Sequence, residues 1–264
     1  MDKQQIAKAF GKKATTYDVH ARVQKYVGHN LIRLLIRDAF AESDVVDGPI
    51  LDLGTGSGYF LPALRNIDTQ RPLMAADLSE GMMRHVQAKY SDQLDYCFVA
   101  DAEQLPLPDD SLAVVFSSMA IQWCEDLTQL FSELSRVVKP GGFIAFSTLL
   151  PDTLCELKDA WHQVDQRVHV NRFLSASQIE TAMQPYGAVH TSHRERVVAG
   201  YPDLKRLLHS IKGIGANTVV DGSGNMTKGQ YGKLIKAYDS FRDASGMLPA
   251  SYDVFYGVLQ VPER

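Results

Sequence analysis

Ile50-Leu51-Asp52-Leu53-Gly54-Thr55-Gly56-Ser57-Gly58 decides the fold. A short apolar run ends in three glycines at alternate positions, and a helical stretch near 60–66 follows. A strand-to-helix turn of this kind needs backbone angles that a β-carbon resists, and glycine also lets a ligand approach the main-chain N–H groups. A dinucleotide fingerprint would space its glycines as G-x-G-x-x-G and set a pyrophosphate on the helix N-terminus. Here the spacing is G-x-G-x-G after the acidic Asp52, which points to the adenosyl group of S-adenosylmethionine.

Two further acids lie downstream, each at the end of an apolar run. Pro72-Leu73-Met74-Ala75-Ala76 leads to Asp77, followed by Leu78, and Tyr96-Cys97-Phe98-Val99-Ala100 leads to Asp101, followed by Ala102. An open α/β sheet binds ligands beyond the carboxyl ends of its strands, where a carboxylate can accept ribose hydroxyls. Asp77 suits that role, because Ser79 is available to cap the helix near 80–90. Asp101 with the N–H of Ala102 suits the adenine amino edge.

The chain alternates strands near 50–53, 73–77, 96–100, 112–118 and 142–148 with helices near 60–66, 80–90 and 127–138. That order predicts an α/β fold with a doubly wound, mostly parallel, seven-stranded Rossmann-like sheet. Right-handed crossovers would bring Gly54, Asp77, Asp101 and Ser117 to one crevice. Before the sheet, Val19, Val23, Val27, Leu31, Leu34 and Leu35 have helical spacing over residues 17–36. After it, a polar, partly aromatic stretch over 161–173 reads as a lid, followed by helices near 175–184, 202–211 and 228–243. Strands near 188–198 and 252–261 would close the sheet with an antiparallel partner. Asp221-Gly222-Ser223-Gly224-Asn225 reads as a turn and hinge. The whole of 1–264 reads as a single domain: an N-terminal helical segment over 1–40, a cofactor-binding core over 41–150, and a lid, substrate-binding elements and closing strands over 151–264.

Composition narrows the class further. The chain has 264 residues, 45% of them hydrophobic, and a formal net charge of −4. Its first residues lack an apolar leader and no apolar run would span a bilayer, so a cytoplasmic protein is expected. Cys97, Cys124 and Cys155 form no metal-ligand spacing, and no metal is expected. Charge is uneven. Lysine and arginine outnumber acids eight to three over 1–40 and seven to three over 201–242, whereas over 41–160 they are seven against nineteen. Most such clusters are solvated faces; a surface for an acidic partner is the alternative.

On these residues alone several methyltransferases remain open, among them enzymes acting on a free dicarboxylate or a quinone precursor, as does a non-catalytic adenosyl-binding regulator. An amino or nucleic-acid methyltransferase would usually carry Asn/Asp-Pro-Pro-Tyr after the fourth strand, where this chain reads Ser117-Ser118-Met119-Ala120.

Nearly end to end, the chain resembles the malonyl-[acyl-carrier protein] O-methyltransferases, which open the pimeloyl branch of biotin synthesis. The resemblance rests on Phe10 with Tyr17-Asp18, the glycine loop, Asp101-Ala102-Glu103-Gln104-Leu105-Pro106, and Ser117-Ser118-Met119-Ala120-Ile121-Gln122-Trp123-Cys124. More selective are Val164-Asp165 with His169-Val170-Asn171-Arg172-Phe173, and residues 208–217 containing Lys212-Gly213-Ile214-Gly215-Ala216. Ser118 departs from the asparagine expected there. The resemblance implies a class I fold and methyl transfer from S-adenosylmethionine, leaving S-adenosylhomocysteine, to the free carboxylate of a malonyl thioester on acyl carrier protein. Asp52, Gly54, Gly56, Gly58, Asp77, Leu78, Asp101, Ala102 and Ser117 are then the cofactor residues. Arg172 is the first choice for anchoring the carboxylate, since a guanidinium gives directional hydrogen bonds to one, with His169 and Asn171 beside it. Tyr17 and Trp123 are the aromatics expected near the methyl, and Lys205, Arg206 and Lys212 the cations expected to meet an acidic carrier.

Overall fold

In the computed structural model, residues 2–41, 45–214 and 226–263 are described. The hinge reading at 221–225 and the Gly215-Ala216 pair lie outside them. Seven strands form one sheet: β1 (Ile50–Leu53), β2 (Leu73–Asp77), β3 (Tyr96–Val99), β4 (Leu112–Ser118), β5 (Val138–Leu149), β6 (Ala188–Tyr201) and β7 (Leu248–Gln260). Their order is β3-β2-β1-β4-β5-β7-β6. The first five are parallel, and β7 runs antiparallel to both β5 and β6. β1 sits where the order reverses, with β2 on one side and β4 on the other, which is where an open α/β sheet forms its ligand crevice.

Strand periodicity divides the core between the two faces. Ile50, Val114, Phe116, Phe143 and Ala145 pack with Val27, Leu31 and Leu35 of helix α3 (Arg22–Leu35). Their alternates Leu51, Val115, Ile144 and Phe146 pack on the opposite face with Leu130, Phe131 and Leu134 of helix α6 (Leu127–Val137). Side chains alternate along a strand, so a slip of one residue would exchange these two sets.

Ten α-helices are present among the described residues: α1 (Lys3–Gly11), α2 (Tyr17–His20), α3 (Arg22–Leu35), α4 (Leu61–Arg65), α5 (Glu80–Tyr90), α6 (Leu127–Val137), α7 (Cys155–His162), α8 (Ala176–Met183), α9 (Leu204–Gly213) and α10 (Lys228–Asp239). The N-terminal segment differs from the continuous helix expected over 17–36. Ala21, at ψ 34°, breaks it into α2, whose Tyr17 faces the crevice, and α3, whose Val23, Val27 and Leu31 face the sheet. One straight helix could not aim side chains at both. The irregular stretch read as a lid begins later than expected, after His162. Trp161 lies inside α7, and the irregular part runs from there to the Ser175 cap of α8.

The helix α1, capped by Asp2, crosses the mouth of the crevice and rests on the start of α5. A β-carbon on Gly81 would stand 2.8 Å from the Gly11 Cα and 3.1 Å from its carbonyl carbon and oxygen, all of them backbone. Backbone cannot swing aside as a side chain does, so the two helices meet only because both positions are glycine. Gly81→Ala should therefore lift α1 and leave the sheet intact. Brief trypsin treatment should cut the variant faster than wild type at Lys8, Lys12 and Lys13, with circular dichroism little changed; equal cutting rates would show that this contact does not seat α1.

Candidate active site: a roofed crevice joined to an apolar chamber

The glycine loop is fixed from both of its ends. Gly54 and Thr55 donate their N–H groups to the Ala76 carbonyl at 2.8 and 3.1 Å, tying the loop to β2. Gly54 has φ +70°, and a β-carbon on it would stand 2.3 Å from that of Ala120. Gly56 has φ +56° and would aim a β-carbon into open space, which is the crevice itself. Gly58 serves packing instead. It is buried beneath the Tyr90 ring and does not line the crevice.

Asp77 holds the loop against α5. Its carboxylate accepts the Gly56 N–H at 2.9 Å on one oxygen and the Ser79 N–H at 2.8 Å on the other. Ser79 caps α5 through Met82, as expected. Burial pushes the Asp77 carboxyl up, and the two backbone N–H groups work against that rise. Asp52 is more deeply buried and does not line the crevice; it accepts the Thr55 hydroxyl at 2.7 Å inside the turn. Burial carries its carboxyl up to about 7, opposed by Thr55 and reinforced by the charge of Asp77. Asp52 thus shapes the loop from behind.

Gly54, Gly56, Asp77, Leu78, Asp101, Ala102 and Ser117 line one crevice. The Ser117 hydroxyl is fully buried and, among the described residues, has no hydrogen-bond partner. An unsatisfied buried hydroxyl costs roughly 1–3 kcal/mol, so a ligand with a polar group there would recover that energy. The orphaned hydroxyl, the carboxylates of Asp77 and Asp101 and the exposed loop backbone together fit an adenosyl cofactor. Ser118 bonds the Ser147 hydroxyl at 3.2 Å, and Met119 beside it takes the left-handed conformation at φ 51°.

Above the crevice lies a roof that sequence reasoning missed. Lys3, Ile6, Ala7 and Phe10 of α1 all line it. The Lys3 ammonium bonds Asp101 at 2.6 Å and also Glu103, while Asp18 accepts the Ser57 hydroxyl at 2.5 Å. The signal was available in the i, i+3, i+4, i+7 spacing of Lys3, Ile6, Ala7 and Phe10 behind an Asp cap.

Beyond the roof a second chamber opens, with about 290 Å³ of free volume. Phe10, Tyr17, Met119 and Trp123 line both spaces and form the partition between them. Phe10 stands edge-on to Trp123 with ring centroids 5.5 Å apart, and 6.3 Å from Tyr17. Burial and the nearby charges of Asp77 and Asp18 push the Tyr17 phenol up, so it remains a neutral hydroxyl at physiological pH. Leu154, Leu157, Trp161, Phe173 and Leu208 make much of the chamber wall apolar; its polar groups include Gln122, His169, Asn171 and Lys212.

The lid residues separate in the structure. His169 stacks on Trp161 at 3.5 Å between centroids and bonds Asp165 at 2.7 Å. Asp165 also accepts bonds from Arg167 and from Gln230 of α10, the latter at 3.0 Å. Desolvation raises the Asp165 carboxyl, but these bonds outweigh it and hold the group well below the usual carboxylate range. Asn171 is buried and lines the chamber, whereas Arg172 is exposed and lines an outer groove with Arg167, Lys158 and His162. Its place is therefore not the one that the sequence suggested. Lys205 and Arg206 are exposed on α9, and Lys212 on the same helix reaches the chamber.

A sheet of this order with an adenosyl crevice at its switch point defines a class I, S-adenosylmethionine-dependent methyltransferase. A family model described as a methyltransferase domain matches residues 51–146. The chain is similar to solved structures of the YcgJ protein from Bacillus subtilis (TM-score 0.60, 16% identity, covering 89% of this chain and all of that one) and the BH2331 protein from Bacillus halodurans (0.60, 17%, 88% and 99%), which agree in fold. It is 38% identical to a malonyl-[acyl-carrier protein] O-methyltransferase of Serratia marcescens, over 98% of this chain and 96% of that protein. It is also 37% identical to the Hahella chejuensis protein of that name, over 96% and 89%. A bifunctional biotin biosynthesis protein, BioHC of Teredinibacter turnerae, is 36% identical over 98% of this chain, which spans only 47% of that longer protein. The chain belongs to the malonyl-[acyl-carrier protein] O-methyltransferase family.

The buried carboxyl of Asp52 has a measurable consequence. Its pKa in the folded state lies above the ordinary value of 3.8, so between about pH 4 and 7 the folded chain holds a proton that the unfolded chain has lost. This contribution to stability is complete at low pH and falls as pH rises through that window, by at most about 1.4 kcal/mol per pH unit. Asp52→Asn keeps an acceptor for Thr55 and should flatten the profile. Urea unfolding at pH 5 and pH 7.5 tests this; an unchanged difference between the two pH values would count against it.

Proposed function

We propose that the chain transfers the methyl group of S-adenosylmethionine to the free carboxylate of a malonyl group held as a thioester on acyl carrier protein. What carries the reading is the chamber behind Tyr17 and Trp123: largely apolar, about 290 Å³, and sharing Phe10, Tyr17, Met119 and Trp123 with the cofactor crevice. Its size and its few polar groups suit a short acyl chain ending in an acid. The names borne by relatives over the full length support the same substrate.

S-adenosylmethionine supplies a methyl activated by its positive sulfur; the bond to the acceptor oxygen forms as the carbon–sulfur bond breaks, its electron pair staying on sulfur. The protein need remove no proton, because a carboxylic acid of pKa about 4 is already ionised at neutral pH. Placement is then its main task, and oriented intramolecular reactions show that placement can supply roughly 7–11 kcal/mol. Gly54, Gly56, Asp77, Leu78, Asp101, Ala102 and Ser117 hold the adenosyl and ribose groups. Phe10, Tyr17 and Trp123 exclude water from the meeting point, and the neutral Tyr17 hydroxyl orients the acceptor. Over-strong binding of the anion would slow transfer, since charge is lost on the way to the transition state. The exposed Lys205 and Arg206 of α9 offer a positive approach to an acidic carrier, and complementary charge of this kind speeds encounter at low salt. The chain works as one unit in this reading: residues 1–40 roof the cofactor, 41–150 hold it, and the remainder receives the acceptor.

Incubation with methyl-labelled S-adenosylmethionine and, separately, malonyl carrier protein, malonyl coenzyme A and free malonate tests the reading by mass spectrometry. Label should appear on malonyl carrier protein and be released by mild alkali, as a methyl ester requires. No label on any of the three, with cofactor binding intact, would discard the substrate.

A further inference from the structure

Among the described residues, Lys212 alone of the lysines and arginines lines the acceptor chamber, and none of the described aspartates or glutamates does. We propose that Lys212, rather than Arg172, is the specificity residue that selects an acyl chain ending in a carboxylate. The proposal rests on the function proposed above and assigns the recognition of the acid end within it.

Three observations converge on Lys212. The first is its seat. Gly213, the next residue, is pressed against α2: a β-carbon there would stand 2.3 Å from the His20 ring, and the His20 and His209 rings meet edge-on with centroids 4.9 Å apart. The C-terminal end of α9 is therefore flush with the short helix that begins at Tyr17, so Lys212 and the partition belong to one wall. The second is its availability. Among the described residues Lys212 has no ion-pair partner, whereas His169 is committed to Asp165 and to the face of Trp161. The third is exclusion. Arg172 lines the outer groove, where Arg167, Lys158 and His162 accompany it, and is absent from the chamber lining.

The choice of cation also suits the chemistry. A lysine ammonium is a compact, hydrated point charge on a flexible stem, without the rigid two-pronged fork of a guanidinium. It can hold one carboxylate oxygen and leave the other free to take the methyl. Because Lys212 is solvent-exposed, its pull is moderated by water, which limits stabilisation of an anion that must lose its charge.

The test compares binding of malonyl carrier protein and acetyl carrier protein, which differ only in the terminal acid, to the full chain saturated with S-adenosylhomocysteine. Wild type should prefer the malonyl form by about two- to fivefold, the span of an ion pair at a solvent-exposed lysine. Lys212→Met should lose that preference while binding the acetyl form as before, and Lys212→Arg should restore most of it. Unchanged S-adenosylhomocysteine affinity and thermal midpoint would show each variant to be folded. Equal weakening toward both carriers would overturn the proposal in favour of a contact with the carrier itself, and an undiminished malonyl preference in Lys212→Met would overturn it outright. A wild type that does not distinguish the two carriers would overturn this proposal, whereas the substrate reading stands or falls by the labelling experiment.

Discussion

The Asp77 carboxylate is the constraint on which the rest of the site depends. It receives one backbone N–H from the glycine loop and one from the start of α5, so a single side chain sets the distance between the two segments that frame the crevice. The arrangement is costly in isolation, because burial disfavours the charged form. It persists because two N–H groups stabilise the anion and β2 delivers the residue at its carboxyl end. Asp52 shapes the same loop from behind through Thr55. One carboxylate lines the crevice and the other stabilises the turn, although sequence alone ranks them as equals.

The crevice and the chamber are two halves of one design, divided by aromatic rings from different parts of the chain. Phe10 ends the roof helix, Tyr17 opens α2, and Trp123 follows β4. The N-terminal segment therefore contributes to both compartments and cannot be treated as decoration on the sheet. Its attachment is distributed: Lys3 reaches Asp101 and Glu103, Gly11 rests on Gly81, and Asp18 accepts Ser57. On the far side, Asp165 ties the lid loop to α10 through Gln230 and fixes His169 against Trp161. These tethers position walls without entering the chemistry.

The sheet was legible in the sequence because each strand is a short apolar run followed by punctuation, and the order of the runs leaves few topologies. The crevice was legible for a related reason: residues at the carboxyl ends of parallel strands must share an edge, so Gly54, Asp77, Asp101 and Ser117 could be grouped without coordinates. The roofing role of α1 escaped notice because nine residues with four apolar positions carry a weak periodic signal. Helix α7 was not foreseen because it follows Leu154, which adopts φ 54°, a conformation rare for a leucine and invisible in its identity. Arg172 and Lys212 show the deeper limit. Motif spacing places a residue on a segment, but which side of an irregular loop it occupies is decided by packing, here by His169 on Trp161 and by Gly213 on His20.

The most direct measurement is the affinity of Asp77→Asn for S-adenosylhomocysteine by calorimetry, beside its thermal midpoint and circular dichroism. Asparagine has nearly the shape of the carboxylate but only one oxygen, so it cannot accept both N–H groups and also receive ribose hydroxyls. The account predicts a folded protein whose affinity falls by about tenfold or more, as expected for lost hydrogen bonds to a charged group. A folded variant with wild-type affinity would contradict it, because the group that frames the crevice would then play no part in holding the ligand.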